Sequence, residues 1–176
     1  MSGHNKWSQI KRQKGANDAA RGALFGKLAK RITIESKKAN GDLSSPALRT
    51  AIEKARETNM PKENVERAIA KGTSVDAGSL DFNVYETYGP GGAAIIIDAL
   101  TDNRNRTTAE IKHLLSKYGL SLAAQGSASW AFDKTQNGYT PKNILPLSEA
   151  DHESLMKILE EIDAHDDVEE VHTNAE

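Results

Sequence analysis

Residues 82–100, FNVYETYGPGGAAIIIDAL, decide the fold. Two stretches rich in aromatic and β-branched residues, Phe82–Tyr88 and Ala93–Leu100, flank Gly89-Pro90-Gly91-Gly92. Such residues favour extended backbone, and a glycine–proline run between two of these stretches is hairpin chemistry. A phosphate cradle would need Gly-Lys-Ser/Thr leading straight into a helix, and here a second strand follows. Downstream, Thr107 is expected to open a helix running to about Tyr118, with Thr107 and Glu110 spaced as a capping box. Ser127–Phe132 reads as a third strand. The stretch 139–147, broken by Pro141 and Pro146, is at best an edge strand. Ser148–Ile162 is helical, with Leu155, Ile158, Leu159 and Ile162 on one face and Ser148 as its cap. Val168–Thr173 reads as a final strand. The sum is an α+β sandwich, a sheet with two helices on one face.

Upstream of the hairpin the pattern is helical. From Asp18 the apolar residues Ala20, Leu24, Leu28 and Ile32 recur four apart, ending near Asn40-Gly41, a left-handed stop. Ser45-Pro46 opens a second helix with Leu48, Ala51, Ile52 and Ala55 as its stripe. Pro61 opens a third, carrying Val65, Ala68 and Ile69, which Gly72 ends. Residues 1–17 show no sustained period and no acidic side chain, so they read as a basic arm. The expected division is therefore a basic arm over 1–17, a three-helix domain over 18–72, a linker over 73–79 and an α+β domain over 80–176.

A net charge of -2 over 176 residues conceals a division. Residues 1–72 hold 16 Lys+Arg against 7 Asp+Glu, or +9, and residues 73–176 hold 7 against 18, or -11. The first half attracts polyanions at long range and the second repels them. There is no cysteine, which excludes disulfides, thiolate metal sites, iron–sulfur clusters and a cysteine nucleophile. No apolar run is long enough to span a bilayer, and none near Met1 resembles a secretory signal.

The residues offer little to catalysis. His4, His113, His152, His165 and His172 fall on different expected elements, and the run Asp163–Asp167 reads as a solvated acidic turn rather than a cation loop. No metal, cofactor or catalytic residue is expected. The arm is more informative. His4, Lys6, Trp7, Lys11, Arg12 and Lys14 combine cations that neutralise phosphates with an indole able to stack on an unpaired base. Arg21, Lys27, Lys30 and Arg31 continue the charge along the first helix, with Lys27 and Arg31 four apart on one face. Arg104 and Arg106 stand beside an expected helix N-terminus, where the helix dipole disfavours cations. Either they bind a phosphate with the free backbone amides, or they pair with Asp98, Asp102 or Glu110; both readings stay open.

Several blocks taken in order resemble the YebC/PmpR family. They are Ser2–Trp7 with Ile10-Lys11 and Arg21-Gly22, then Asn59–Ile69, Tyr88–Gly92, Leu100–Thr107, Gly126-Ser127, and Trp130 with Phe132. The resemblance implies a helical N-terminal domain followed by a ferredoxin-like α+β domain. It also implies a cytoplasmic, non-enzymatic regulator that binds nucleic acid. Family members are described as transcriptional regulatory proteins; others are mitochondrial translational activators or are linked to the ribosome and to relief of stalling. Typical members carry a further domain between the strand ending near Phe132 and the last helix. Here only residues 133–147 join the two, so that domain is expected to be absent. Thr87, Leu120 and Ala123 stand where the family has glycine. With the first block at residue 3, no room for a mitochondrial presequence is expected. The partner is then DNA or ribosomal RNA, with the ribosome as an assembly and no membrane. A separate class, a protein adaptor, would use the acidic C-terminal helix to dock a basic partner.

Overall fold

The computed structural model describes residues 18–74, 80–135 and 138–176. They fall into two compact units, a helical one ending by Leu80 and a second spanning Asp81–Glu176. The arm and most of the expected linker lie outside the described residues.

The helical unit contains α1 (Asp18–Lys38), α2 (Pro46–Glu57) and α3 (Lys62–Thr73). Ile32, Leu48, Ala51, Ile52, Ala55, Met60, Val65 and Ala68 form its core. Asn40 takes a left-handed φ of 49° after α1, as the sequence pattern expects. Ser45 precedes α2, but its side chain makes no capping bond. Asp42 instead accepts from the Ser44 amide and hydroxyl at 2.9 and 2.7 Å. Small polar residues join α1 to α3: Thr33 Oγ1 lies 3.1 Å from the Ala68 carbonyl oxygen, and Ser36 Oγ donates to that of Ile69 at 2.8 Å. The approach is close enough that a Cβ on Gly72 would lie 2.4 Å from the Thr33 carbonyl oxygen.

The second unit is α+β. A three-stranded antiparallel sheet has the order β1 (Asp81–Tyr88), β2 (Ala94–Thr101), β5 (Val168–Thr173). In register, Tyr85 faces Ile97 and Ile97 faces Val171. The hairpin between β1 and β2 turns through Pro90–Gly92, where Gly91 has a φ of 67° and a Cβ would strike Leu147. Every residue of β2 is buried, so the strand needs cover on both faces. On one, Tyr85, Ile95, Ile97 and Val171 pack against α4 (Arg104–Ser116) and α5 (Glu149–Asp163) through Ile111, Leu115, Leu155 and Leu159. On the other, Ala94 and Ile96 meet Ala128, Ala131 and Phe132. This second cover continues into a two-stranded ribbon, β3 (Phe132–Thr135) with β4 (Gly138–Pro141).

Two expectations are corrected. The α4 helix starts at Arg104, three residues before Thr107, because Asn103 is extended and its side chain accepts from the Arg106 amide at 3.1 Å. Thr107 is fully buried and caps nothing with Glu110. Ser127–Phe132 is not a strand: a 3-10 turn covers Ser129–Ala131, and β3 begins only at Phe132. The weak edge strand expected near Tyr139 exists as β4. Ser148 does cap α5, accepting from the Asp151 amide, and the final strand spans Val168–Thr173 as read.

A single carboxylate holds the second cover in place. Glu86 is buried, with Oε1 accepting from the Gly126 amide at 2.8 Å and Oε2 from Ala128 and Ser129 at 2.7 and 2.9 Å. Burial pushes its acidity down, but the amides of Gly126, Ala128 and Ser129 outweigh that, and the carboxyl sits below the ordinary glutamate range. Thr87, at a position where the resemblance expects glycine, adds a bond from Oγ1 to the Ser121 carbonyl oxygen at 2.8 Å.

Two outcomes follow from this packing. Glu86→Gln replaces one of the two acceptor oxygens by an NH2 group that faces backbone donors, and is expected to cost about 1–3 kcal/mol at neutral pH in urea unfolding. Because the folded carboxyl is the stronger acid, its contribution is complete above pH 4.5 and fades as pH falls through the lower folded value. The deficit of the variant should therefore shrink on the acid side, and a pH-independent deficit would contradict the assignment. Gly72→Ala forces α1 and α3 apart, and should lower the stability of the helical unit by about 1–3 kcal/mol in the same measurement.

Candidate functional site

Of the residues that the sequence marks for nucleic acid, His4, Lys6, Trp7, Lys11, Arg12 and Lys14 lie outside the described residues. The remaining five separate into two kinds. Arg21 and Arg104 are exposed and make no ion pair among the described residues. Lys27 is buried at 8% exposure, which removes it from any open basic face and corrects its pairing with Arg31. Arg31 is exposed, with its Nε 3.4 Å from the buried carboxylate of Glu35.

Arg106 is committed to the fold. Its Nη2 lies 2.8 Å from Asp167 Oδ2 and 3.1 Å from Asp102 Oδ1, and its Nε is 3.9 Å from Glu110 Oε1. The hydrogen bond to Asp167 is the largest influence, and with the charge of Asp167 it holds the guanidinium further in its cationic form. Two of the partners left open by the sequence, Asp102 and Glu110, are found; the third is Asp167 rather than Asp98.

Asp167 was hidden in what reads as a solvated acidic turn. It is buried at 5% exposure, and Thr107 Oγ1 lies 2.8 Å from its Oδ2 and 2.8 Å from Thr101 Oγ1. His165 completes the cluster. Its Nδ1 accepts from the Asp167 amide at 3.1 Å, so the proton resides on Nε2, 3.0 Å from Glu110 Oε2. Both ring nitrogens are thus used by the fold. A second group converges beneath the ribbon, where Asp98, Glu170 and His172 bring ligand-type atoms within 4.8 Å of one another. His172 Nε2 is 3.4 Å from Asp98 Oδ2, and the Tyr139 ring covers the imidazole edge-on at 5.3 Å. Burial first, then the charges of Asp98 and Glu86, push the Tyr139 phenol up, so it stays protonated.

One exposed residue escaped the sequence reading. Trp130 is 63% exposed, and its Nε1 donates to the Tyr88 hydroxyl oxygen at 3.0 Å. That hydroxyl in turn donates to the Ser127 carbonyl oxygen. A strand over 127–132 would place Trp130 on the inner face with Ala128 and Phe132. The 3-10 turn has a three-residue period, so Ala128 and Ala131 point inward and Trp130 outward.

The matching family models cover most of the chain: the TACO1/YebC protein N-terminal domain over residues 5–75, and the TACO1/YebC second and third domain over residues 80–137. The chain belongs to the TACO1/YebC family. A "Probable transcriptional regulatory protein" of Desulfosudis oleivorans is 47% identical over 94% of this chain and 66% of its own length. One from Desulforapulum autotrophicum is 45% identical over 97% of this chain and 68% of its length. The chain therefore spans about two thirds of the length of these TACO1/YebC relatives. Among solved structures, a conserved hypothetical protein of Aquifex aeolicus is 29% identical with a TM-score of 0.86, covering 98% of this chain and 97% of its own. Among the described residues no helix is long and apolar enough to cross a membrane.

The two arginines at the start of α4 should respond differently to truncation. Arg106→Ala strips the buried Asp167 of its cation and should lower the melting temperature, whereas Arg104→Ala should leave it unchanged. Equal melting temperatures for the two variants in differential scanning calorimetry would contradict this division.

Proposed function

We propose that this chain is a non-catalytic regulator of gene expression that binds nucleic acid through its basic amino-terminal half. The charge division carries the reading: 16 Lys+Arg against 7 Asp+Glu before residue 73, reversed to 7 against 18 after it. In the helical unit the apolar stripes of α2 and α3 are spent on the core, which leaves Arg49, Lys54, Arg56, Arg67 and Lys71 in solvent. Cations in that arrangement neutralise phosphates and release their counterions, a driving force without sequence preference. Membership of a family whose relatives are named as transcriptional regulators supports the same partner. The sheet unit supports the non-catalytic part. Asp167, Thr107 and Arg106 satisfy one another and Glu86 serves backbone amides, a fold-holding use of groups that catalysis would keep available.

Trp7 favours unpaired RNA, as presented by ribosomal loops or messages, over duplex promoter DNA. An indole stacks on a splayed base, and a duplex keeps its bases stacked inside. A cytoplasmic site of action fits either target.

The test is binding to looped RNA and duplex DNA across a salt series. Alanine at Lys6, Lys11, Arg12 and Lys14 together should flatten the dependence of log affinity on log salt by up to about four phosphate contacts. An unchanged slope would reject the arm as the electrostatic site and leave the adaptor reading, in which the acidic helix docks a basic protein. Trp7→Ala should cost about 1–3 kcal/mol on looped RNA, persisting at high salt, and less on the duplex.

A further inference from the structure

Trp130 is the most exposed of the large apolar side chains among the described residues. A lone surface indole is ordinary in a soluble protein. This one differs in how it is held. Its N–H is fixed by the Tyr88 hydroxyl, itself anchored on the Ser127 carbonyl, so the ring is presented in one orientation. The segment beneath it is fixed as well, because Glu86 gathers the amides of Gly126, Ala128 and Ser129. Tyr88 is 37% exposed and adds a second ring beside the first. One exposed cation is tied to the residue that follows the indole. The Lys142 amide donates to the carbonyl of Ala131, the residue after Trp130, and the exposed Lys142 ammonium is 4.0 Å from Asp133, at the limit of an ion pair. Lys134, exposed on β3, points elsewhere, with its ammonium 6.0 Å from the centre of the Tyr139 ring.

We propose that Trp130, pinned by Tyr88, is a stacking platform for an unpaired base of single-stranded nucleic acid, with Lys142 meeting a phosphate. The site rests on the nucleic-acid reading above and adds a second, non-electrostatic contact within the half of the chain that carries net negative charge. A ring held in place before binding loses little freedom when a base arrives. Every base has a flat face, so the platform accepts any sequence. A duplex, whose bases are already stacked, is excluded. Lys142 beside the ring favours a polyanionic strand over an apolar peptide.

The experiment measures affinities of the full chain for labelled oligouridylate, oligothymidylate and a DNA duplex at low and high salt. Trp130→Ala should weaken binding to the single strands by roughly 5- to 150-fold at both salts and leave the duplex nearly unaffected. Trp130→Phe, which retains a ring, should lose less. In a Trp7→Phe chain Trp130 is the remaining tryptophan. Its fluorescence should be quenched by oligouridylate, and Tyr88→Phe, which frees the indole, should reduce both quenching and affinity. That pair of readouts also decides the matter if Trp130→Ala fails to fold. A loss confined to the RNA strand supports a platform on RNA, and equal loss on both single strands supports one that ignores the sugar. Unchanged single-strand affinity in the variants, or equal losses on the duplex, overturns the platform while the nucleic-acid reading stands. A wild-type chain that binds none of the three overturns both.

Discussion

A strand buried on both faces has to be covered twice, and most of the sheet unit follows from that requirement on β2. Its sequence, AIIIDALT, places apolar side chains on both faces of the sheet, so neither face tolerates water. Two amphipathic helices cover the side carrying Ile95, Ile97 and Ala99. The other side, with Ala94 and Ile96, receives no helix. It is closed by an irregular segment that buries only Ala128, Ala131 and Phe132, too little apolar surface to hold itself down. Glu86 resolves the difficulty from within the sheet, reaching up to bond the backbone of that segment at three amides. An irregular loop has backbone donors that no strand partner satisfies, and a buried carboxylate needs donors. Each removes the other's penalty.

The same economy governs the far end of the sheet. The start of α4 and the turn before β5 meet where Thr101, Thr107 and Asp167 are buried together. A carboxylate in that position demands a cation, and Arg106 supplies it from the first turn of the helix. This explains an arginine where the helix dipole opposes one. The local cost, a few tenths of a kcal/mol to about 1 kcal/mol at a surface helix end, is smaller than that of an unpaired buried charge. Arg104 has no such partner among the described residues, so its place beside the exposed α4 terminus is not explained by the packing.

The hairpin, the α+β class, the three helices and the final strand were legible because each rests on a local signal of several residues: periodicity, a glycine-rich turn, a stop. What failed did so for non-local reasons. Thr107 and Glu110 have capping-box spacing, but Asn103 competes for the cap, and Thr107 is drawn inward by Asp167, 60 residues further along the chain. Asp167 looked solvated because its neighbours are acidic, and nothing in a linear reading reveals that one of them turns in to meet an arginine. A period of two over 127–132 satisfies Ala128 and Phe132, while the buried Ala131 shows that the period is three.

That period matters most, since it decides which way an indole faces. With a period of two, Trp130 would be core, and its exposure would register as a defect. With a period of three it is a surface ring held by hydrogen bonds whose ultimate support is Glu86. The fold thus ties a property of the interior to a property of the surface: the carboxylate that closes the second face also fixes the turn on which Trp130 stands. Such coupling has an energetic consequence for binding. The acidic unit repels a polyanion, and a single stacking contact of about 1–3 kcal/mol would bind one only weakly by itself. Carried on the same chain as a half with a surplus of nine positive charges, the proposed contact would act at the high local concentration that a tether provides. On the proposed reading, long-range attraction would bring the strand in and short-range stacking would discriminate unpaired from paired bases, a distinction that charge alone does not make.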